Sequence, residues 1–262
     1  MVDWAEPAWS VVANVGIICV LGLFDRFFAS SRARWFSIHA FANLLVVLTG
    51  LPAFLTTLYD PLNAMDPNTY TDSSLFGNAS PFPNIIINSV HLYHVIAFKL
   101  SSADYFHHLL FIPTLGLLGQ YYRQGSFRGF LAFMISGLPG GIDYLNLSLV
   151  KHGLMDILVQ KRICAGLNVW LRGPSLVISA FILWLGFRYG SPTVPAAAAV
   201  AVGFLAAFNG QYYTKQSVSN YAITHCLGTV KERISLTTGT AVPDWKRIAM
   251  SPRVKAPQNT MS

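Results

Sequence analysis

The chain has 262 residues, of which 53% are hydrophobic and only 11% charged, and its formal net charge is +7. A charged fraction this far below the ~25% of soluble domains excludes an ordinary soluble enzyme and implies an integral membrane protein of the all-α class. The basic excess has no motif or aromatic support of the kind nucleic-acid binding needs, so nucleic acid is not an expected partner. Three scattered cysteines, Cys19, Cys164 and Cys226, with no CxxC pair, exclude a disulfide framework.

In chain order, the acidic opening MVDWAEPAW lacks the basic region of a cleaved signal, so the first apolar run is expected to be retained as an anchor. Apolar stretches predict spans at 8–28, 36–58, 84–101, 104–122, 129–149, 167–188 and 193–213. The expected fold is therefore a polytopic transmembrane helical bundle of about seven spans. Six spans with a re-entrant piece fit as well. The bundle occupies residues 1–213 and a basic tail occupies 214–262.

The first loop carries Arg26, Arg32 and Arg34 against Asp25. The second, 59–83, carries Asp60, Asp66 and Asp72 and no basic residue. The positive-inside rule places the first loop, and with seven spans the C-terminus, in the cytosol. Arg123 and Arg128 fall on the opposite side in this scheme. Asn78-Ala79-Ser80 forms a glycosylation sequon in the acidic loop, followed by Pro81. The stretch 150–165 is too polar to span and reads as an interfacial amphipathic helix. The tail holds seven basic residues against Glu232 and Asp244, and is expected to contact anionic lipid headgroups.

Ionisable groups at membrane depth are costly, and so point to function. Four of the seven histidines lie within eighteen residues: His91 and His94 on the third span, His107 and His108 on the fourth. Asp104 lies three and four residues before the pair, so its carboxylate is expected to reach one ring and orient it as a general base. The same groups could ligate a metal or serve as interhelical glue. A short connection makes the third and fourth spans antiparallel neighbours, which brings His94 towards the pair. Asp143 lies in SGLPGGIDYLN, whose glycines and Pro139 are expected to break or kink the fifth span and face a cavity. His39 and Asn43 share a face of the second span. Arg172, near the start of the sixth, is suited to a phosphate or carboxylate headgroup, or to snorkelling.

The order of these features resembles the TLC-domain membrane proteins, the superfamily that includes the ceramide synthases. The residues that carry the likeness are Trp35 with His39, Tyr93 with His94, the His107-His108 pair, Ser136 to Asp143, and Asn168 with Arg172, within about residues 30–213. The resemblance implies an endomembrane protein, of the endoplasmic reticulum above all, that handles lipid. His107 and His108 would be its acyl-transfer pair, with Asp104 and Asp143 as catalytic acids. His91, His94, Tyr93 and Arg172 would contact a lipid or acyl-CoA substrate, with no cofactor. His94 stands where many such proteins have aspartate, and the acids that follow the pair in synthases are reduced to Asp143. A non-synthase member that modifies, carries or senses lipid is the resulting expectation. Two other readings stand beside it: a trafficking receptor or structural subunit with membrane-protein partners, and a zinc-dependent seven-span lipid amidase. The last would need three or so of His91, His94, His107 and His108 to converge on the metal.

Overall fold

The computed structural model describes residues 5–29, 31–190 and 194–238, except the side chains of residues 5–8, 103, 107, 117, 118, 121 and 231–238. It is 79% helical, and no strand occurs among the described residues. The helices are α1 (Ala5–Phe27), α2 (Arg34–Tyr59), α3 (Phe82–Ala97), α4 (Ser102–Phe111), α5 (Leu118–Tyr121), α6 (Phe127–Ala132), α7 (Leu138–Lys151), α8 (Ile157–Leu167), α9 (Gly173–Tyr189) and α10 (Ala196–Thr238). Three π-helical segments, Ile112–Leu117, Phe133–Gly137 and Asn168–Arg172, join α4 to α5, α6 to α7 and α8 to α9.

Among the described residues, four helical runs are long and apolar enough to cross a membrane: Trp9–Phe27, Arg34–Tyr59, Phe127–Lys151 and Ile157–Tyr189. They match the first, second, fifth and sixth predicted spans. The third corresponds to α3, whose 16 residues fall short of the ~20 that a perpendicular crossing requires. Large apolar side chains cover the outer surface of these runs, among them Val12, Leu23, Leu55 and Phe181, each more than half exposed. Such a surface suits hydrocarbon, where no hydrophobic cost attaches to exposed Leu or Val.

Helix α2 is central, packed by α7, α3, α6 and α1. Small residues permit the close approach that drives helix association in lipid. A Cβ placed on Gly129 would lie 2.5 Å from the Ala53 Cβ, so α2 and α6 meet almost backbone to backbone. Leu21, Ile38, Ala42, Val46, Ile86 and Val90 fill the core between α1, α2 and α3. Phe127, Phe130, Phe133, Leu176, Leu183 and Val202 fill a second, which also takes Ala64 and Met65 from the acidic loop.

That loop is folded onto the bundle. The backbone N–H of Phe127 donates to the Ala64 carbonyl at 3.0 Å, and the Arg128 guanidinium donates to the Ala79 carbonyl at 3.1 Å. Arg128 is 5% exposed. It is a buried anchor, and it should not be counted among the loop charges that set orientation. Ser80 of the sequon is fully buried and its hydroxyl donates to Leu75 O, so the motif is built into the loop's packing.

Two stretches differ from the sequence reading. Residues 150–165 form no separate interfacial helix: α8 starts on an Asp156 cap and runs through the π-helical turn into α9, one 33-residue run. Polar Gln160 faces inward, donating to Asp143 Oδ1 at 2.7 Å, while Lys151, His152, Asp156 and Arg162 stay exposed. The glycine-rich fifth span stays continuous rather than breaking, but its helix is locally irregular and faces the cavity, as the sequence led one to expect. A π-helical turn carries the chain from α6 into α7, and Gly137 and Gly140 serve to seat α7 against Val46 and Asn43 of α2.

The chain divides into two compact units, residues 1–221 and 222–262. In the second, residues 222–238 are helical, and the remainder of the basic tail lies outside the described residues.

Candidate functional site

A cavity of about 350 Å³ lies within the first unit. Its wall includes His39, His91, His94, Asp104, His108, Arg128 and Arg172, together with Asn84, Asn88, Tyr144 and Tyr213. Each of the three π-helical segments contributes to the same wall: Ile112, Leu115 and Gly116 from the first, Ile135 and Ser136 from the second, Arg172 from the third. A π-helical turn inserts one residue and displaces the backbone from the regular ladder, which is why such turns concentrate at functional sites.

The carbonyls released by these turns need partners, because hydrocarbon offers none. Asn84 Nδ2 donates to Gly116 O at 2.7 Å, and Asn88 Nδ2 donates to Gln120 Oε1 at 2.6 Å. Gly116 is glycine because a Cβ there would lie 2.3 Å from Asn88 Oδ1. In the third turn the Thr214 hydroxyl donates to Asn168 O at 3.0 Å. Ser136, in the second, donates to Asn43 Oδ1 at 2.8 Å.

The histidines are held by two different devices. His91 and His108 each donate from Nδ1 to the carbonyl one helical turn back, Ile87 O at 2.6 Å and Asp104 O at 2.7 Å. A carbonyl only accepts, so Nδ1 carries the proton, and in the neutral ring Nε2 holds the lone pair. The two rings stand 5.1 Å apart, nearly perpendicular. His94 is fully buried and fixed by stacking instead. Its ring stacks on Trp35 at 4.1 Å and lies tilted 4.2 Å from His39, which is itself 5.2 Å from Trp35 and stacks on Tyr144 at 4.1 Å. Trp35, His94 and His39 thus form a three-ring cluster, extended by Tyr144, across α2, α3 and α7.

The expected role of the Asp104 carboxylate needs correction. It accepts from the backbone N–H of Ser101 at 2.8 Å and the Ser101 hydroxyl at 2.6 Å, while Asp104 N–H donates back to the hydroxyl: a capping box at the start of α4. The spacing that put this carboxylate one turn before the pair is also the spacing of a cap, and the orphan N–H groups of the helix start claim it. What orients His108 is the Asp104 backbone carbonyl.

Of the residues singled out in the sequence, the structure brings His91, His94, Asp104, His108 and Arg172 to one cavity. It places two elsewhere. The Tyr93 hydroxyl donates to Asp25, which also receives both ends of the Arg34 fork. Asp143 is held by Gln160 of α8 and is absent from the wall. The side chain of His107 lies outside the described residues. Tyr144, Asn209, Tyr213 and Arg128 join the wall without having been candidates; the neighbour of Asp143 that faces the cavity is the tyrosine, one residue on.

Among the described residues, no three His, Cys, Asp or Glu side chains meet in an arrangement that could hold a metal ion. The histidine rings that lie closest, His39 and His94, are 4.2 Å apart and tilted by 44°.

No family model, curated protein or solved structure matches this chain.

Proposed function

We propose that this chain is a polytopic membrane protein, of about seven spans, that binds and modifies lipid in the polar cavity between α2, α3, α4, α7 and α9. The observation that supports the reading is the convergence of all three π-helical turns and four buried or half-buried histidines on one cavity. Each of those features costs stability in a membrane, and a closed structural network would not need a cavity at their meeting point. An endomembrane location, the endoplasmic reticulum in particular, and a cytosolic C-terminus whose basic tail meets anionic headgroups complete the reading.

The chemistry that best suits these groups is acyl transfer from a thioester such as an acyl-CoA. His108 Nε2 takes the proton of an acceptor hydroxyl or amine as that oxygen or nitrogen bonds to the acyl carbon. The C–S bond then breaks, and the imidazolium returns the proton to the leaving thiolate. A site partly closed to water keeps such a base effective and limits hydrolysis.

The test is lipidomics on membranes expressing the wild type, His108→Ala and the His107→Ala/His108→Ala double variant at matched levels. Loss of a positioned base lowers a rate by about 100-fold or more, so a lipid class altered by the wild type should return to baseline in His108→Ala. Identical profiles for all three proteins would end the enzymatic reading.

A further inference from the structure

The histidines leave one feature of the cavity without a purpose. Arg172, on the third π-helical turn, projects into the same wall. Its guanidinium donates to Asn209 Oδ1 at 3.2 Å and lies 4.7 Å from the Tyr213 ring centroid. An amide and an aromatic face hold a cation in place but do not neutralise it. No carboxylate among the described residues forms an ion pair with Arg172: Asp143, held by Gln160, acts on it only through space, and the Arg172 Nε has no hydrogen-bond acceptor among them.

The rest of the wall sharpens the imbalance. Among the described residues Asp104 is the one acidic residue on it, and its Oδ2 accepts from the Ser101 backbone and hydroxyl in the α4 cap. Arg128 adds a second guanidinium, anchored through one nitrogen to the Ala79 carbonyl. Among the described residues the wall thus carries more cationic than acidic side chains, and the Arg172 guanidinium is the one whose partners, Asn209 and Tyr213, are both neutral. A buried or half-buried guanidinium without an anion is strongly unfavourable, and at membrane depth the cost rises. The planar fork matches the paired oxygens of a carboxylate or phosphate. The volume, about 350 Å³, takes a head rather than whole acyl chains, and Phe111, Ile112, Leu115 and Val202 give the wall its apolar part.

We infer that Arg172 is the recognition cation for a substrate with an oxyanion head, carboxylate or phosphate, on an apolar tail. This rests on the lipid-handling reading above and narrows it: the cavity selects charged amphiphiles over neutral ones of the same tail. Asn209 and Tyr213 are positioning residues that aim the guanidinium, and His108 has no part in the selection.

The experiment is native mass spectrometry of the full chain in neutral detergent, titrated with phosphatidic acid and with diacylglycerol of the same acyl chains. The wild type and the variants Arg172→Gln and Arg172→Lys are compared. The wild type should favour phosphatidic acid by about tenfold or more, equivalent to one factor of ten in Kd. Arg172→Gln should lose that preference, and Arg172→Lys should keep part of it through charge without the fork. The basic tail and Arg128 are the same in every protein, so an undiminished preference in Arg172→Gln would assign it to one of these and overturn the inference. A photoactivatable phosphatidic acid, crosslinked to the wild type and mapped by peptide, needs no variant. Labelling of the α9 and α10 segments around Arg172 and Asn209 supports the site, and labelling confined to the tail overturns it. Equal affinity of the wild type for both lipids would overturn this inference alone, whereas binding of neither would overturn the lipid-handling reading as well. Displacement of phosphatidic acid by millimolar inorganic phosphate would assign the cavity to a soluble oxyanion and overturn the lipid source.

Discussion

Two polar clusters rest on α2 and α3, and they are built by opposite rules. At one, Asp25 of α1 accepts from both ends of the Arg34 fork and from the Tyr93 hydroxyl, while Arg34 also lies 4.5 Å over the Phe98 ring. Charges cancel, both carboxylate oxygens are used, and three helices are tied together. At the other, the cavity gathers four histidines and two arginines, with Asp104 the one acidic residue among the described residues of its wall. A cluster that satisfies itself fixes the fold. One that leaves Arg172 without an ion pair keeps a charge to offer a ligand.

The largest effect that would test this contrast is on stability. Arg34→Ala leaves Asp25, 6% exposed, without its cation. Removing a charged hydrogen-bond partner of this kind costs about 2 kcal/mol, seen as a lower midpoint of thermal unfolding in detergent. Lipid discrimination at the cavity should be unchanged, and a loss of discrimination would show that the two clusters are not separate.

A smaller effect concerns Asp104, which sits on the cavity wall but behaves as part of a cap. Asp104→Ala and Ser101→Ala should each cost about 1 kcal/mol in the same unfolding assay. The two losses should also be non-additive in the double variant, because they break one capping box. If the lipid profile collapses in Asp104→Ala but persists in Ser101→Ala, the carboxylate has a chemical role beyond the cap.

The smallest effect lies outside the membrane segments, in the acidic loop. Hydrogen bonds from Asn63 hold Asp60 below its ordinary pKa, and those from Thr69 and Asn68 do the same for Asp66. A depressed carboxylate contributes stability above the unfolded value, near pKa ~3.9, and that contribution is lost as pH falls through the folded value. Tyr70 moves the other way, pushed up to about 12 by burial and then by its bond to Asp60. Its contribution is complete below its unfolded value, about 10, and is lost as pH rises through about 12. Hydrogen-exchange protection factors in residues 60–72, corrected for the intrinsic pH dependence of exchange, should therefore be highest between these limits and fall below about pH 4. A flat profile across that acidic limit would remove the loop's carboxylates from the account of its order.

Much of this architecture was legible in the residues. Composition and apolar run length gave an all-helical membrane chain, and the runs at α1, α2, α6–α7 and α9 stand out because hydrocarbon thickness imposes a length that no soluble helix must meet. The clustering of His91, His94 and His108 was equally plain, since ionisable residues in apolar sequence are rare enough to mark themselves. Capping chemistry was present but ambiguous: Ser101-x-x-Asp104 carries the same carboxylate that the histidine spacing invited to a different role. Tyr93 and Asp143 looked like members of the site by proximity in sequence, yet Asp25 and Gln160 claim them from helices far away along the chain.

What the sequence by itself determined is the class of protein and the segment in which its costly polar groups reside. Only the tertiary structure decided which of those groups meet, and the reason is a matter of phase. A π-helical turn inserts one residue, which rotates everything after it by about 100° around the helix axis. Three such turns separate the faces of α4, α7 and α9 from any period read along the chain. Where an amphipathic soluble helix announces its buried side, a membrane helix is apolar all round. Tyr144, Asn209 and Tyr213 could therefore be assigned to the cavity only once the helices were packed around it.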